Sequence, residues 1–278
     1  MLIKLNIKLT KDYKIDTIYQ STALGVEMMF FIPQTYNIDE LAHYNLHIHT
    51  NFSGCAKDEM SFENIVEVSK KSNLKMIALC DHIYRPDKLP DFKANCELLR
   101  KKRDEINAEV KILIGGEFSC YAVDEYTLKG LDIPSEYKLY SQNHYHVTGW
   151  QQAEEKTPES YKELTKKMLR NLFKDKAADT IAHPLNGKYL KKMTGWENEV
   201  LGSCWTDNEL GDIMTEALNS ECAWELNTGA IFADAPLARR MFNIGKEIGV
   251  VFTLGTDAHQ LCNIDPKPFV DDIKRILY

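Results

Sequence analysis

"NLHIHTNFSGC" (Asn45–Cys55) alternates apolar and polar residues as far as His49. In an extended strand, residues i and i+2 share a face, so His47 and His49 project side by side. A paired imidazole on one strand face is a metal-ligand pattern more than a core pattern. Cys55 follows six residues later, and it stands either as a further ligand or as a partly buried structural thiol.

Outward from this strand, short apolar runs alternate with amphipathic segments. The runs are "NLHIHT", "KMIALCD", "VKILIGGE", "YKLYSQNH", "ADTIAHP", "CAWELNT" and "GVVFTLGTD". Helical patterns lie between most of them. Thr157 with Pro158 after it reads as a helix start, and Thr206 with Glu209 has capping-box spacing. Such alternation predicts parallel strands joined by crossover helices, an α/β fold. About seven repeats favour a closed barrel over an open sheet. Residues 1–44 differ: "LIKLNIKL" alternates cleanly and "GVEMMFFIP" can pair with it. They are expected to form an N-terminal β appendage, packed on the barrel domain of residues 45–278 or on a partner subunit of a homo-oligomer. The stretch Gly187–Trp205 is expected to be a long loop.

Composition narrows the function classes. With 34 basic and 41 acidic residues the formal charge is −7, and no long basic run suggests a nucleic-acid footprint. "RKKRDE" (Arg100–Glu105) reads as the solvated face of a helix. No apolar run approaches the roughly 20 residues that span a bilayer, and the N-terminus has no signal-peptide core. Seven cysteines without a CxxC pair suit reduced thiols. A cytoplasmic protein without membrane contact is expected.

The polar residues fall at the strand ends. His47 and His49 lie in the first strand, and Asp81 and His82 end the second. Glu117 ends the third, His144 the fourth and His183 the fifth. Glu225 and Asn227 lie in the sixth, and Asp257 and His259 end the seventh. In a parallel barrel the strand C-termini share one rim, so these side chains converge. Imidazoles and carboxylates without thiolate pairs suit Zn, Mn or Fe ions.

The motifs "HIHT" (47–50), "CDH" (80–82), "GGE" (115–117), "NHYH" (143–146), "AHP" (182–184), "ELNTG" (225–229) and "GTDAH" (255–259) together resemble the PHP family, the polymerase and histidinol phosphatase superfamily of metal-dependent phosphoesterases. The resemblance covers roughly residues 45–278 and implies a distorted (β/α)7 TIM-like barrel with two or three divalent metal ions. By similarity, His47, His49, Glu117 and Asp257 would hold the first metal. Glu117 would bridge to a second, completed by His183 and by His144, which is preferred to His146 because it closes the apolar strand. His82 and His259 would hold a third. Cys55 stands where many three-metal relatives have a histidine.

What the resemblance implies for function is hydrolysis of a phosphate ester, most simply of a small molecule, by a histidinol-phosphatase-like enzyme. Asp81, His82, Glu117 and His259 are the expected catalytic residues, with Asp81, His82 or His259 positioning water or handling a proton. Arg85 and Lys188 are the cations best placed to clamp phosphate. Three alternatives share parts of the pattern. They are a PHP-type nuclease or exonuclease, an amidohydrolase-type hydrolase, and a metal-binding module without catalysis.

Overall fold

A computed structural model describes residues 31–278, apart from Arg85, Asn107, Asp132 and Asn143 and the side chain of Tyr189. Among the described residues eight strands run in chain order: β1 (Tyr44–Ile48), β2 (Met76–Ile83), β3 (Lys111–Ala122), β4 (Glu125–Tyr126), β5 (Lys138–Ser141), β6 (Thr180–Ile181), β7 (Ala223–Asn227) and β8 (Phe252–Gly255). Seven of them form one parallel sheet in the order β1-β2-β3-β5-β6-β7-β8, while β4 pairs antiparallel with the end of β3. The sheet nearly closes on itself. His49 N donates to Ala258 O at 3.0 Å and Ala258 N donates to His47 O at 3.2 Å, a parallel bridge from the end of β1 to the segment after β8. The result is the expected distorted seven-stranded barrel with helices around it. Its strands are buried almost throughout, as near-continuous apolar runs covered on both faces require.

Register places the site. Along β2 and β3, Asp81 pairs with Gly116 and His82 with Glu117, so the second strand's histidine stands beside the third strand's carboxylate. The double glycine before Glu117 has a packing reason. A Cβ on Gly115 would lie 2.4 Å from the backbone oxygen of Tyr137, so only glycine lets the chain entering β5 approach β3 this closely.

The helix signals hold locally. Thr157 accepts from Ser160 N at the start of helix Pro158–Lys174, and Thr206 with Glu209 forms a complete capping box for helix Asp207–Asn219. Each such cap contributes about 1 kcal/mol. The expected loop at 187–205 is instead two short helices, Lys188–Thr194 and Glu199–Ser203. Buried Leu190 and Leu201 anchor them, and Gly195, at φ 78°, ends the first. Its glycines and short apolar spacing hid both from periodicity. The strand expected to reach His144 stops at Ser141, and the one expected to reach His183 stops at Ile181. Both histidines therefore sit on rim loops.

"GVEMMFFIP" and "LIKLNIKL" fall largely or wholly within residues 1–30, outside the described residues. From residue 31 onward the chain joins the barrel through helix Ile38–Leu41, whose Ile38 and Leu41 are fully buried. Among the described residues no helix is long and apolar enough to cross a membrane.

One cap carries a pH dependence. Asp234 opens helix Ala235–Ile248 by accepting from Leu237 N at 3.0 Å. Its other oxygen is buried and without a hydrogen-bond partner among the described residues. Burial pushes its pKa up to about 6. The unfolded carboxyl ionises near ~4, so between about pH 4 and pH 6 the folded state holds the proton more tightly. This contribution to stability is therefore lost as pH rises through that window. Asp234→Asn keeps an oxygen for Leu237 N and removes the titration. Relative to wild type, the variant is expected to gain stability from pH 4 to pH 7, read from urea midpoints. A constant difference would reject the assignment.

Candidate metal centre

The first donor group is built by barrel closure. The Nε2 atoms of His47 and His49 lie 3.2 Å apart. Asp257 Oδ1 stands 3.3 Å from the first and 3.0 Å from the second. Glu117 Oε2 stands 3.2 Å and 3.4 Å from the same two atoms. The second group uses the other carboxylate oxygen: Glu117 Oε1 is 3.1 Å from His183 Nε2 and 3.6 Å from His144 Nε2. A third group joins His49, Cys55, His82 and His259. Its His259 Nε2 lies 3.1 Å from Cys55 Sγ. Within each group one donor atom from every residue lies within 4.8 Å of the others, close enough to hold a metal ion.

The outer nitrogens are fixed by the fold. His47 Nδ1 donates to Glu225 Oε1 at 2.8 Å. His49 Nδ1 meets Ser53 Oγ at 3.3 Å, and His259 Nδ1 donates to the backbone oxygen of Asp257 at 2.7 Å. Each contact leaves the Nε2 lone pair facing inward, the tautomer a metal ligand needs. Glu225 does more, because its Oε2 accepts from His183 N. One carboxylate on β7 thus braces a ligand of the first group and the backbone of the second. It is packed so tightly that a Cβ on Gly255 would lie 1.9 Å from its Oε1. His183 and Asp257 also hold positive φ, 29° and 53°, costly for residues other than glycine and concentrated at functional sites.

The electrostatics test whether cations fit. Burial opposes charge on His47, yet Glu225, Asp257 and Glu117 raise its pKa well above the ordinary value. His49 is raised to about 9, its burial outweighed by Asp257 and Glu117. His144 is pushed down to about 3 by burial, despite Glu117, and burial also holds His82 well below its ordinary value. Glu117 and Asp257 are held well below the carboxylate range, because facing imidazoles overcome their burial. Two ionised carboxylates therefore face imidazoles whose nitrogens point at one another. Protons on both His47 and His49 would repel across 3.2 Å, and His82 Nδ1, 3.1 Å from Glu117 Oε2, is buried without an aligned hydrogen bond. Divalent cations suit this donor set better than protons, since they accept from every inward lone pair at once.

The structure sorts the candidate residues. His47, His49, Glu117, Asp257, His144, His183, His82, His259 and Cys55 all enter donor groups. His146 enters none; its ring centroid lies 5.7 Å from that of His144. Asp81, expected among the catalytic residues, accepts from Thr50 N, Thr50 Oγ1 and Ser53 Oγ at 2.7–2.8 Å, so it clamps the turn after β1. Arg85 lies outside the described residues. Lys188 lines a cavity of about 510 Å³ with Asn227, Phe232, Asp257, His259 and Phe269. Glu225 was expected on the shared rim but given no role, and Ser53 was absent from the expected site. Glu225 had a signal, its place in the sixth apolar run, but no local pattern tied it to His47.

Residues 45–198 match the PHP domain family. No curated protein matches the chain. Among solved structures, histidinol phosphate phosphatase (HisK) from Lactococcus lactis subsp. lactis Il1403, complexed with zinc, L-histidinol and phosphate, is similar with a TM-score of 0.54 at 18% identity, over 84% of this chain and 93% of that one. The candidate histidinol phosphatase hisK of Listeria monocytogenes has the same TM-score at 13% identity, over 80% and 97%. At these identities the two structures establish the shared fold.

Proposed function

The chain belongs to the PHP domain family, and from that premise we propose that it is a metal-dependent phosphoesterase acting on a small phosphorylated molecule. The observation that carries this reading is Glu117. Its two oxygens are divided between two sets of imidazoles, the arrangement of a carboxylate shared by two cations. His47, His49 and Asp257 complete one side, and His144 and His183 the other. Divalent ions held there supply a nucleophile at neutral pH and neutralise charge on the phosphoryl oxygens.

The chain's own residues provide the rest. Glu225 and Ser53 orient the ligands. The cavity beside Asp257 and His259 is roomy enough for a small ester. Of the expected catalytic residues beyond Glu117, His259 is the one that lines it. Lys188, which also lines it, is the phosphate clamp this reading favours. A phosphorylated amino alcohol is the natural first probe, because L-histidinol and phosphate are bound in the Lactococcus structure. All seven cysteines are free thiols, which supports a cytoplasmic setting.

The nuclease reading gains little support. In "RKKR", Arg100 and Arg103 pair with Glu136, and Lys102 with Glu63. The cluster lies on an exposed to half-exposed helix face, as expected, with its charges already paired. The amidohydrolase reading favours a lysine bridge where Glu117 stands.

The test is a turnover screen of metal-reconstituted protein on phosphomonoesters, cyclic phosphates and short oligonucleotides. Monoester hydrolysis that persists at moderate salt is expected. Cleavage confined to oligonucleotides, with binding that falls steeply with salt, would overturn the small-substrate reading. No turnover on any probe would overturn catalysis.

A further inference from the structure

Cys55 is unlike most of the other cysteines. Cys80, Cys96, Cys120 and Cys222 are buried in the core, whereas Cys55 is exposed. Its sulfur faces imidazole. Sγ lies 3.1 Å from His259 Nε2, within a group completed by His49 and His82. The rings crowd the same place, with centroids 4.3 Å apart for His49 and His259 and 4.4 Å for His49 and His82.

The turn carrying Cys55 is held from three sides. Ala56 N donates to Ser53 O at 3.0 Å, and Lys57 N donates to the backbone oxygen of His259 at 2.9 Å. Asp81 clamps Thr50 and Ser53. The thiol is therefore positioned by the same buried carboxylate that supports His49 through Ser53.

We propose that Cys55 is a thiolate ligand that, with His82 and His259 beside His49, makes one cation site of this centre selective for zinc-like over manganese-like ions. The inference rests on the metal-centre reading above and adds a donor and a selectivity to it. On binding, the thiol S–H breaks, the sulfur–metal bond forms and the proton leaves to solvent, with no change of oxidation state. Thiolate is a soft donor and imidazole a borderline one, so this set prefers zinc, cobalt or cadmium to manganese or magnesium. The other two groups contain only imidazole and carboxylate and have no soft donor to strengthen that preference.

Cobalt(II) titration of metal-free protein reads the sulfur directly. Wild type is expected to develop a near-ultraviolet thiolate-to-cobalt absorption that saturates with one equivalent. Zinc should abolish it at concentrations where manganese does not, and bound zinc should slow alkylation of Cys55 by iodoacetamide. Cys55→Ser should lose the band and one equivalent of metal. Cys55→His should keep that equivalent, lose the band and weaken the preference for zinc over manganese; it also serves if the serine variant does not fold. Cobalt bound with visible bands but no thiolate band, or a Cys55→Ser variant with undiminished metal content, would overturn the thiolate ligand and leave the phosphoesterase centre standing. Failure of wild type to bind cobalt or zinc at all would overturn both.

Discussion

Glu117→Gln is expected to lower kcat/KM for a phosphomonoester by at least about 10³-fold, or about 4 kcal/mol of transition-state stabilisation. The side chain is 1% exposed and surrounded by imidazole nitrogens. His47, His82 and His183 approach within 3.1–3.2 Å, His49 within 3.4 Å and His144 within 3.6 Å. An amide of the same shape has one acceptor oxygen and no charge, so it cannot serve both sides at once. It also turns an N–H toward nitrogens that must stay free for a cation. Metal content should therefore fall with activity. Elemental analysis and turnover of the reconstituted variant check the prediction, with circular dichroism to establish that it folds. Wild-type turnover with full metal content would remove Glu117 from the centre.

Glu225→Gln is the second large effect, and it acts one contact further out. Glu225 accepts two N–H groups, from His47 Nδ1 and from the His183 backbone. Glutamine can accept only one of them in this geometry. Either His47 loses the partner that sets its tautomer, or a buried backbone N–H is left unpaired at a cost of about 1–3 kcal/mol. Little rearrangement is open, because Gly255 packs directly against Oε1. Metal affinity should fall about 10–100-fold, the usual cost of losing a partner behind a ligand. Because Glu225 touches ligands rather than substrate, excess metal should restore most of kcat with KM little changed. That separates positioning from direct catalysis. Unaltered metal affinity, or a kcat that no metal concentration rescues, would reject the role.

These two carboxylates differ in how far the sequence reveals them. Glu117 was legible because it follows the apolar run "KILI" in a strand of a parallel barrel, although β3 itself continues past it to Ala122. His47 and His49 were legible for a more local reason, since a period of two fixes a shared face wherever the strand goes. "GTDAH" was placed in the same way, by the apolar run before it. The backbone strain at Asp257 and His183 had no such signal, because positive φ in a residue other than glycine is imposed by surroundings.

The sequence by itself determined the strand–helix rhythm, the barrel class and the set of donor residue types, because period, caps and apolar runs are properties of neighbouring residues. Tertiary structure alone decided which atoms meet. Glu225 reaches His47 across 178 residues only because β7, β8 and β1 become neighbours when the sheet closes. Asp81 accepts from Thr50 and Ser53 because β1 and β2 pair. Cys55 meets His259 because the turns after β1 and β8 are tied together by Lys57 N and the His259 oxygen. Such contacts depend on the relative placement of strands far apart in the chain, and no local pattern encodes that distance.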